Sequence, residues 1–163
     1  PWLATNILTA VAAASVIGLF ESSIAQLVAL AVLMPIVASM GGNAGTQTLT
    51  VAVRGLATKG LTKDNSVRVI RREVLVGILN GAIFGLAIGT VTYFWFGNFG
   101  LGAVIGLAMI INLTIAALAG ILVPLTLEKM GADPALASPT FVTTVTDVVG
   151  FFAFLGLATV ILL

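Results

Sequence analysis

Residues 135–163 read ALASPTFVTTVTDVVGFFAFLGLATVILL, a bilayer-length run with a single charge, Asp147. About 20 apolar residues at ~1.5 Å per residue cross a hydrocarbon core ~30 Å thick, so the stretch reads as a transmembrane helix. A charged group at mid-bilayer depth costs ~2.5–3.5 kcal/mol even on lenient insertion scales, and such a residue is a candidate functional site by default. Thr140, Thr143, Thr144 and Asp147 share one helical face by their three- and four-residue spacing. That stripe has two readings. It lines a cation pathway with Asp147 as the ion-attracting group, or the threonines merely bond back to their own helix and Asp147 makes one structural contact. No basic residue lies in the deep core of any span to pair with Asp147, and a buried carboxylate without a partner needs a cation beside it or must give up its charge.

The rest of the chain has the same character. Apolar residues make up 60% of it and charged residues 8%, against roughly 25% in a soluble domain, and the mean hydropathy is +1.21. There is no cysteine and no histidine. Disulfides, thiolate or imidazole metal sites and Cys or His nucleophiles are therefore excluded, and any metal must be met by oxygen, which suits Mg²⁺, Ca²⁺ or Mn²⁺. No P-loop, nucleotide fingerprint or Ser-His-Asp pattern is present, and a single buried acid cannot form an aspartyl protease dyad. Nothing points to an enzyme or to a nucleic-acid partner.

Five apolar stretches are expected to span the membrane: Trp2 to Phe20, Ile24 to Ala57, Val74 to Gly97, Leu101 to Leu127 and Ala135 to Leu163. The fold class is all-α, a multi-pass protein of the cell membrane, with residues 1–163 forming one transmembrane pore domain. Arg54, Lys59, Lys63, Arg68, Arg71 and Arg72 surround the second break and Lys129 lies in the fourth, while the first and third breaks have no basic residue. The positive-inside rule makes the second and fourth breaks cytoplasmic, the amino terminus cytoplasmic and the carboxyl terminus extracytoplasmic. Trp2 and the run Tyr93 to Phe96 fit interfacial aromatic belts at opposite faces. The start at Pro1, without an initiator Met or a basic leader, is read as an excised domain whose upstream part is cytoplasmic.

Local punctuation predicts a helix stop at Lys59-Gly60, an N-cap and first-turn proline at Asp133-Pro134, and a short amphipathic lead into the third span capped by Asp64 or Ser66. As one helix, Ile24 to Lys59 would rise about 54 Å, so the segment must tilt, protrude or break. Pro35 and Gly41-Gly42-Asn43-Ala44-Gly45 are the expected places to break. Asn43, Gln47, Thr50 and Arg54 form a second polar stripe. Asn80 and Asn112 read as interhelical hydrogen-bond partners, and Glu21 as a solvated loop acid.

The run Pro35-Ile36-Val37-Ala38-Ser39-Met40-Gly41-Gly42-Asn43-Ala44-Gly45-Thr46-Gln47 resembles the second-span signature of the MgtE family of magnesium channels, and Asp133-Pro134 with Asp147 is similar to the start and pore aspartate of that family's fifth span. The resemblance covers the whole chain. It implies a homodimer with a Mg²⁺ pathway at the subunit interface, built mainly from spans two and five. It also implies upstream cytoplasmic N and CBS domains that sense Mg²⁺ and close the pore. Carried onto this chain, the pore acid is Asp147, Gly42, Asn43 and Gln47 belong to the second-span motif, and Thr143 lies one turn before the acid. Some members have asparagine where this chain has Thr46 and Pro139, so ion contacts through those side chains are not implied. The chemistry agrees, since one aspartate per chain doubled by two-fold symmetry gives a divalent ion two negative charges. The expected function is passive Mg²⁺ influx, with Mn²⁺, Co²⁺ or Ca²⁺ as further cargoes. The rivals are a proton- or sodium-coupled carrier and a scaffold that moves nothing.

Overall fold

Apolar runs separated by glycine, asparagine and charged punctuation fold into helices alone. The computed structural model describes residues 1–163. Its elements are α1 (Trp2–Leu19), α2 (Glu21–Gln26), α3 (Ala29–Ala57), α4 (Ser66–Phe96), α5 (Phe99–Lys129) and α6 (Pro134–Leu162), with no strand. All but the six-residue α2 are long and apolar enough to cross a membrane.

Helix α5 is the axis of the bundle. Leu101, Ile105, Met109, Leu113 and Ile121 along it are fully buried or nearly so, and it packs against α3, α4 and α6. The larger apolar core gathers Leu30, Leu33 and Val37 of α3, Val104 and Ile105 of α5, and Phe154 and Leu155 of α6. Toward the basic end only two small clusters remain, one around Leu49 and Val142 and one around Ala52, Leu61 and Ile121. Helix α1 leans on α6 at the edge of the bundle, and Leu3, Ile7, Leu8 and Val11 face outward.

Helices α4 and α5 meet backbone to backbone. A Cβ on Gly81 would stand 2.7 Å from the Ile110 Cα, one on Gly85 2.6 Å from the Gly106 carbonyl oxygen, and one on Gly89 2.7 Å from the Gly102 carbonyl oxygen. Lipid supplies no hydrophobic drive for helices to pair, so close van der Waals approach over small residues does it instead. The opposite face of α4, with Leu75, Leu79, Ile83 and Leu86, is exposed.

Three expectations are corrected. The second span does not break at Pro35 or at the glycines; α3 is continuous through both, and the chain breaks upstream at Leu27, after α2. Gly41 and Gly45 are contact glycines: a Cβ on Gly45 would stand 2.7 Å from Val142 Cγ1 of α6. No separate lead precedes the third span, since α4 runs unbroken from Ser66, and neither Asp64 nor Ser66 caps it. Asn65 organises that turn, accepting from the Thr62 N–H at 2.8 Å and donating to the Gly60 carbonyl at 2.7 Å. The left-handed residue after α3 is Lys59, with φ 58°, and not Gly60. That conformation costs a non-glycine residue roughly 1–2 kcal/mol. The compensation is local: the Leu61 N–H donates to the Gly55 carbonyl at 2.9 Å and the Leu61 side chain is buried.

Other boundaries fall where the sequence puts them. Asp133 caps α6 by accepting from the Ala135 N–H at 2.9 Å, with Pro134 in the first turn. Asn98 caps α5 after Gly97 takes the left-handed φ of 65°. Lys63 of the second break and Lys129 of the fourth line one cavity, so the basic breaks share one end of the bundle.

Candidate functional site

The GGNxG run places two glycines against neighbouring helices and turns the polar residues outward. Gly41 faces the Asn112 amide of α5, Gly45 faces Val142 and Thr146 of α6, and Thr48 and Ala52 continue the buried face. On the opposite side of α3, Asn43, Gln47, Thr50 and Arg54 are all exposed, while a Cβ on Gly42 would meet nothing within 4 Å. A polar stripe directed away from a chain's own core in lipid is unfavourable unless protein or water covers it.

Asn112 is the pin that sets the depth of the two helices bearing the candidate residues. Fully buried, it donates from Nδ2 to the Val37 carbonyl at 2.9 Å, as expected of an interhelical partner. Cβ atoms on Gly41 of α3 and Gly150 of α6 would stand 2.9 and 3.0 Å from its Cγ. The amide is therefore held between two bare backbones, and its Oδ1 has no partner. Gly41 and Gly150 lie at one level and Gly45 and Thr146 at the next, so Asn43 and Asp147 stand at the same depth on antiparallel helices.

On α6, Thr140, Thr143, Thr144 and Asp147 are all half-buried, so the predicted stripe exists as a partly open face. Two of its threonines bond back. Thr143 Oγ1 donates to the Pro139 carbonyl at 2.9 Å and Thr144 Oγ1 to the Thr140 carbonyl at 2.6 Å. On α3, Thr46 and Thr50 donate to Gly42 and Thr46 at 2.8 and 2.9 Å, and Asn43 Nδ2 reaches Ser39 Oγ at 3.4 Å. The bonds back to the helix are those of the bland reading of these threonines. The hydroxyl protons of Thr143, Thr144, Thr46 and Thr50 are committed to the helix, so what these side chains turn outward is lone pairs. The α6 stripe thus offers hydroxyl lone pairs and one carboxylate, while the α3 stripe mixes the amide oxygens and N–H groups of Asn43 and Gln47 with the Thr50 hydroxyl and ends at the Arg54 cation; the oxygens among them suit a cation or the hydrogens of its bound water.

No three acids of the chain gather around a point that could hold a bare metal ion. Asn80, expected to bridge helices, makes no such bond and lines a cavity with Gln47, Thr48 and Glu73. Sequence reasoning passed over Glu73 because it closes a basic stretch. Its spacing to Gly77 and Asn80, one helical face, was the available signal.

The family model described as MgtE, divalent cation transporter, matches residues 34–157, which hold both stripes, the Asn112 pin and Asp147. The chain belongs to the MgtE family. The magnesium transporter MgtE of Enterococcus faecalis is 42% identical over 158 residues, covering 97% of this chain and 35% of that protein. The magnesium transporter MgtE of Bacillus subtilis is 38% identical over 159 residues, 98% of this chain and 35% of its own length. That of Thermus thermophilus is 36% identical over 162 residues, 99% of this chain and 36% of its own length. The chain thus spans about a third of the length of the MgtE relatives it matches. Membership in the MgtE family and five membrane-length helices make it a membrane protein.

Proposed function

We propose that this chain is the pore domain of a magnesium channel, conducting hydrated Mg²⁺ passively into the cytoplasm along the interface of a homodimer. The observation that carries the reading is the pair of polar stripes at one depth, the Asn43 row exposed on α3 and the Asp147 row half-buried on α6. A second copy covering that face would hide the stripes from lipid and bring a second Asp147 to the pathway. The open side of Gly42 lets another backbone approach closely. The carboxyl-terminal end of α3, with Arg54 and the basic connection into α4 that follows it, faces the cytoplasm in this reading, with the amino terminus inside and the carboxyl terminus outside. The cytoplasmic regulatory domains implied by the resemblance would act on that same end.

Mg²⁺ sheds its water reluctantly. Its bound waters present hydrogens, so a pathway for the hydrated ion needs acceptors: carboxylates, carbonyls and hydroxyl lone pairs. Asn43 Oδ1 and the outward oxygens of Thr140, Thr143 and Thr144 supply these, and Gln47 continues the row toward the cytoplasm. The two Asp147 carboxylates balance the divalent charge through the ion's water shell, which leaves the ion free to move on. More acids would hold it too tightly for conduction. The membrane potential suffices as the drive, giving a divalent ion ~4.6 kcal/mol per 100 mV at ~2.3 per unit charge.

The test is Mg²⁺ current and uptake in liposomes holding the full-length protein, with no proton or sodium gradient. Wild type is expected to conduct, and Asp147→Asn to lose uptake while remaining a folded dimer. Uptake retained in folded Asp147→Asn sinks the role given to that residue. Uptake that requires a proton or sodium gradient replaces the channel with a coupled carrier.

A further inference from the structure

Helix α4 is drawn onto α5 by its glycines and barely touches α3. The gap between the three helices holds a cavity of about 200 Å³. Its polar wall is Gln47 and Thr48 of α3 with Glu73 and Asn80 of α4. Glu73, Gly77 and Asn80 share one face of α4, and Gln47 stands at the edge where the outward stripe of α3 meets the cavity. Thr48 is 9% exposed, yet unlike Thr46 and Thr50 on either side its hydroxyl does not bond back to the helix. No lysine or arginine lines the space. Arg71 and Arg72 leave α4 about 200° and 100° around the helix from Glu73, at 100° per residue. A half-buried carboxylate, two exposed amides and a nearly buried hydroxyl thus line a half-open space between the helices without bonding to one another.

We infer that this cavity is a second site for a hydrated divalent cation, a station on the cytoplasmic side of Asp147. Glu73 supplies the charge, and the amide oxygens of Gln47 and Asn80 and the Thr48 hydroxyl accept from the ion's waters. The size fits: six waters at ~30 Å³ each fill ~180 Å³. The depth fits as well. Gln47 lies four residues beyond Asn43 toward the basic end of α3, a rise of ~6 Å, so an ion leaving the level of Asp147 reaches Gln47 next. The inference deepens the proposed function and rests on it for the identity of the cargo.

The experiment uses Mn²⁺ as the probe on full-length protein in nanodiscs, with a nitroxide attached at Leu79→Cys on the exposed side of α4. Asp147→Asn is included throughout, to remove the pore site. Mn²⁺ is expected to broaden the nitroxide spectrum, and excess Mg²⁺ to reverse the effect. Adding Glu73→Gln, which preserves size and polarity, should abolish the broadening, and Asn80→Leu should weaken Mn²⁺ binding several-fold. Broadening equal with and without Glu73→Gln, or none at all in folded protein, overturns the second site. Failure of the pore reading is distinguishable, because it would appear as uptake retained in Asp147→Asn whatever the nitroxide reports.

Discussion

The Asn112 pin can be weighed by a double-mutant cycle. A Cβ on Gly41 would lie under the contact limit from the Asn112 amide, at 2.9 Å from both Cγ and Oδ1. Asn112 cannot swing away, since Gly150 backs it on the other side and its Nδ2 is bonded to the Val37 carbonyl at 2.9 Å. Gly41→Ala alone is therefore expected to destabilise the domain by about 1–3 kcal/mol, the usual cost of an added methyl in a tight core. Asn112→Ala alone loses a membrane hydrogen bond worth about 0.6–1.7 kcal/mol and leaves a void. In the double variant the new methyl has the vacated space and the clash disappears. The coupling should be about 1–3 kcal/mol, so the pair costs less than the two changes added. Reversible unfolding in mixed micelles, followed by circular dichroism against denaturant fraction, reads each corner of the cycle. Costs that add within about 0.5 kcal/mol would mean that Gly41 and Asn112 are independent, and the common depth assigned to Asn43 and Asp147 would lose its anchor.

Three further outcomes are expected. Gly42→Leu should leave the fold of a single chain intact, since a Cβ added there would meet no neighbouring helix within 4 Å, but reduce Mg²⁺ uptake by crowding the proposed interface; unchanged uptake would count against that interface. Gly89→Ala should destabilise by about 1–3 kcal/mol, because a Cβ there meets the Gly102 backbone rather than a movable side chain, and micelle unfolding would show it; a neutral result would refute the close α4–α5 approach. This stretch has no cysteine, so Asn43→Cys, introduced with any cysteine elsewhere in the full-length protein removed, should cross-link two copies on oxidation. Ile83→Cys on the exposed face of α4 should not. Equal cross-linking at both would point to random collision in place of a specific dimer.

The features legible in the sequence are those that local rules control. Asp133-Pro134 acts within one turn, and the structure uses it to start α6. The spans were legible from length and hydropathy, and the existence of the Asn43 stripe from its spacing, whereas its outward direction is set by the contacts of Gly41 and Gly45 on the other side of α3. The glycine run was misread because a glycine that breaks a helix and one that receives a neighbour look alike along the chain. The amide of Asn112 decides the matter for Gly41, from 71 residues downstream. Glu73 was hidden for a related reason: its arginine neighbours in sequence point elsewhere around α4, and its neighbours in space come from α3.

The place of α1 bears on how the bundle is made. This helix leans on α6, and Ser23 at the following turn bonds Thr159 at 2.7 Å across 136 residues. During synthesis of this stretch α1 is the first span to reach the bilayer, and its neighbour is the last. Until then α1 must persist alone in lipid, which its unbroken apolar face from Leu3 to Leu19 allows. The α4–α5 hairpin, by contrast, can assemble as soon as α5 is inserted. A chain halted before α6 would hold α3, α4 and α5 together and leave α1 without its partner, with the faces that α3 and α5 turn to α6 still uncovered.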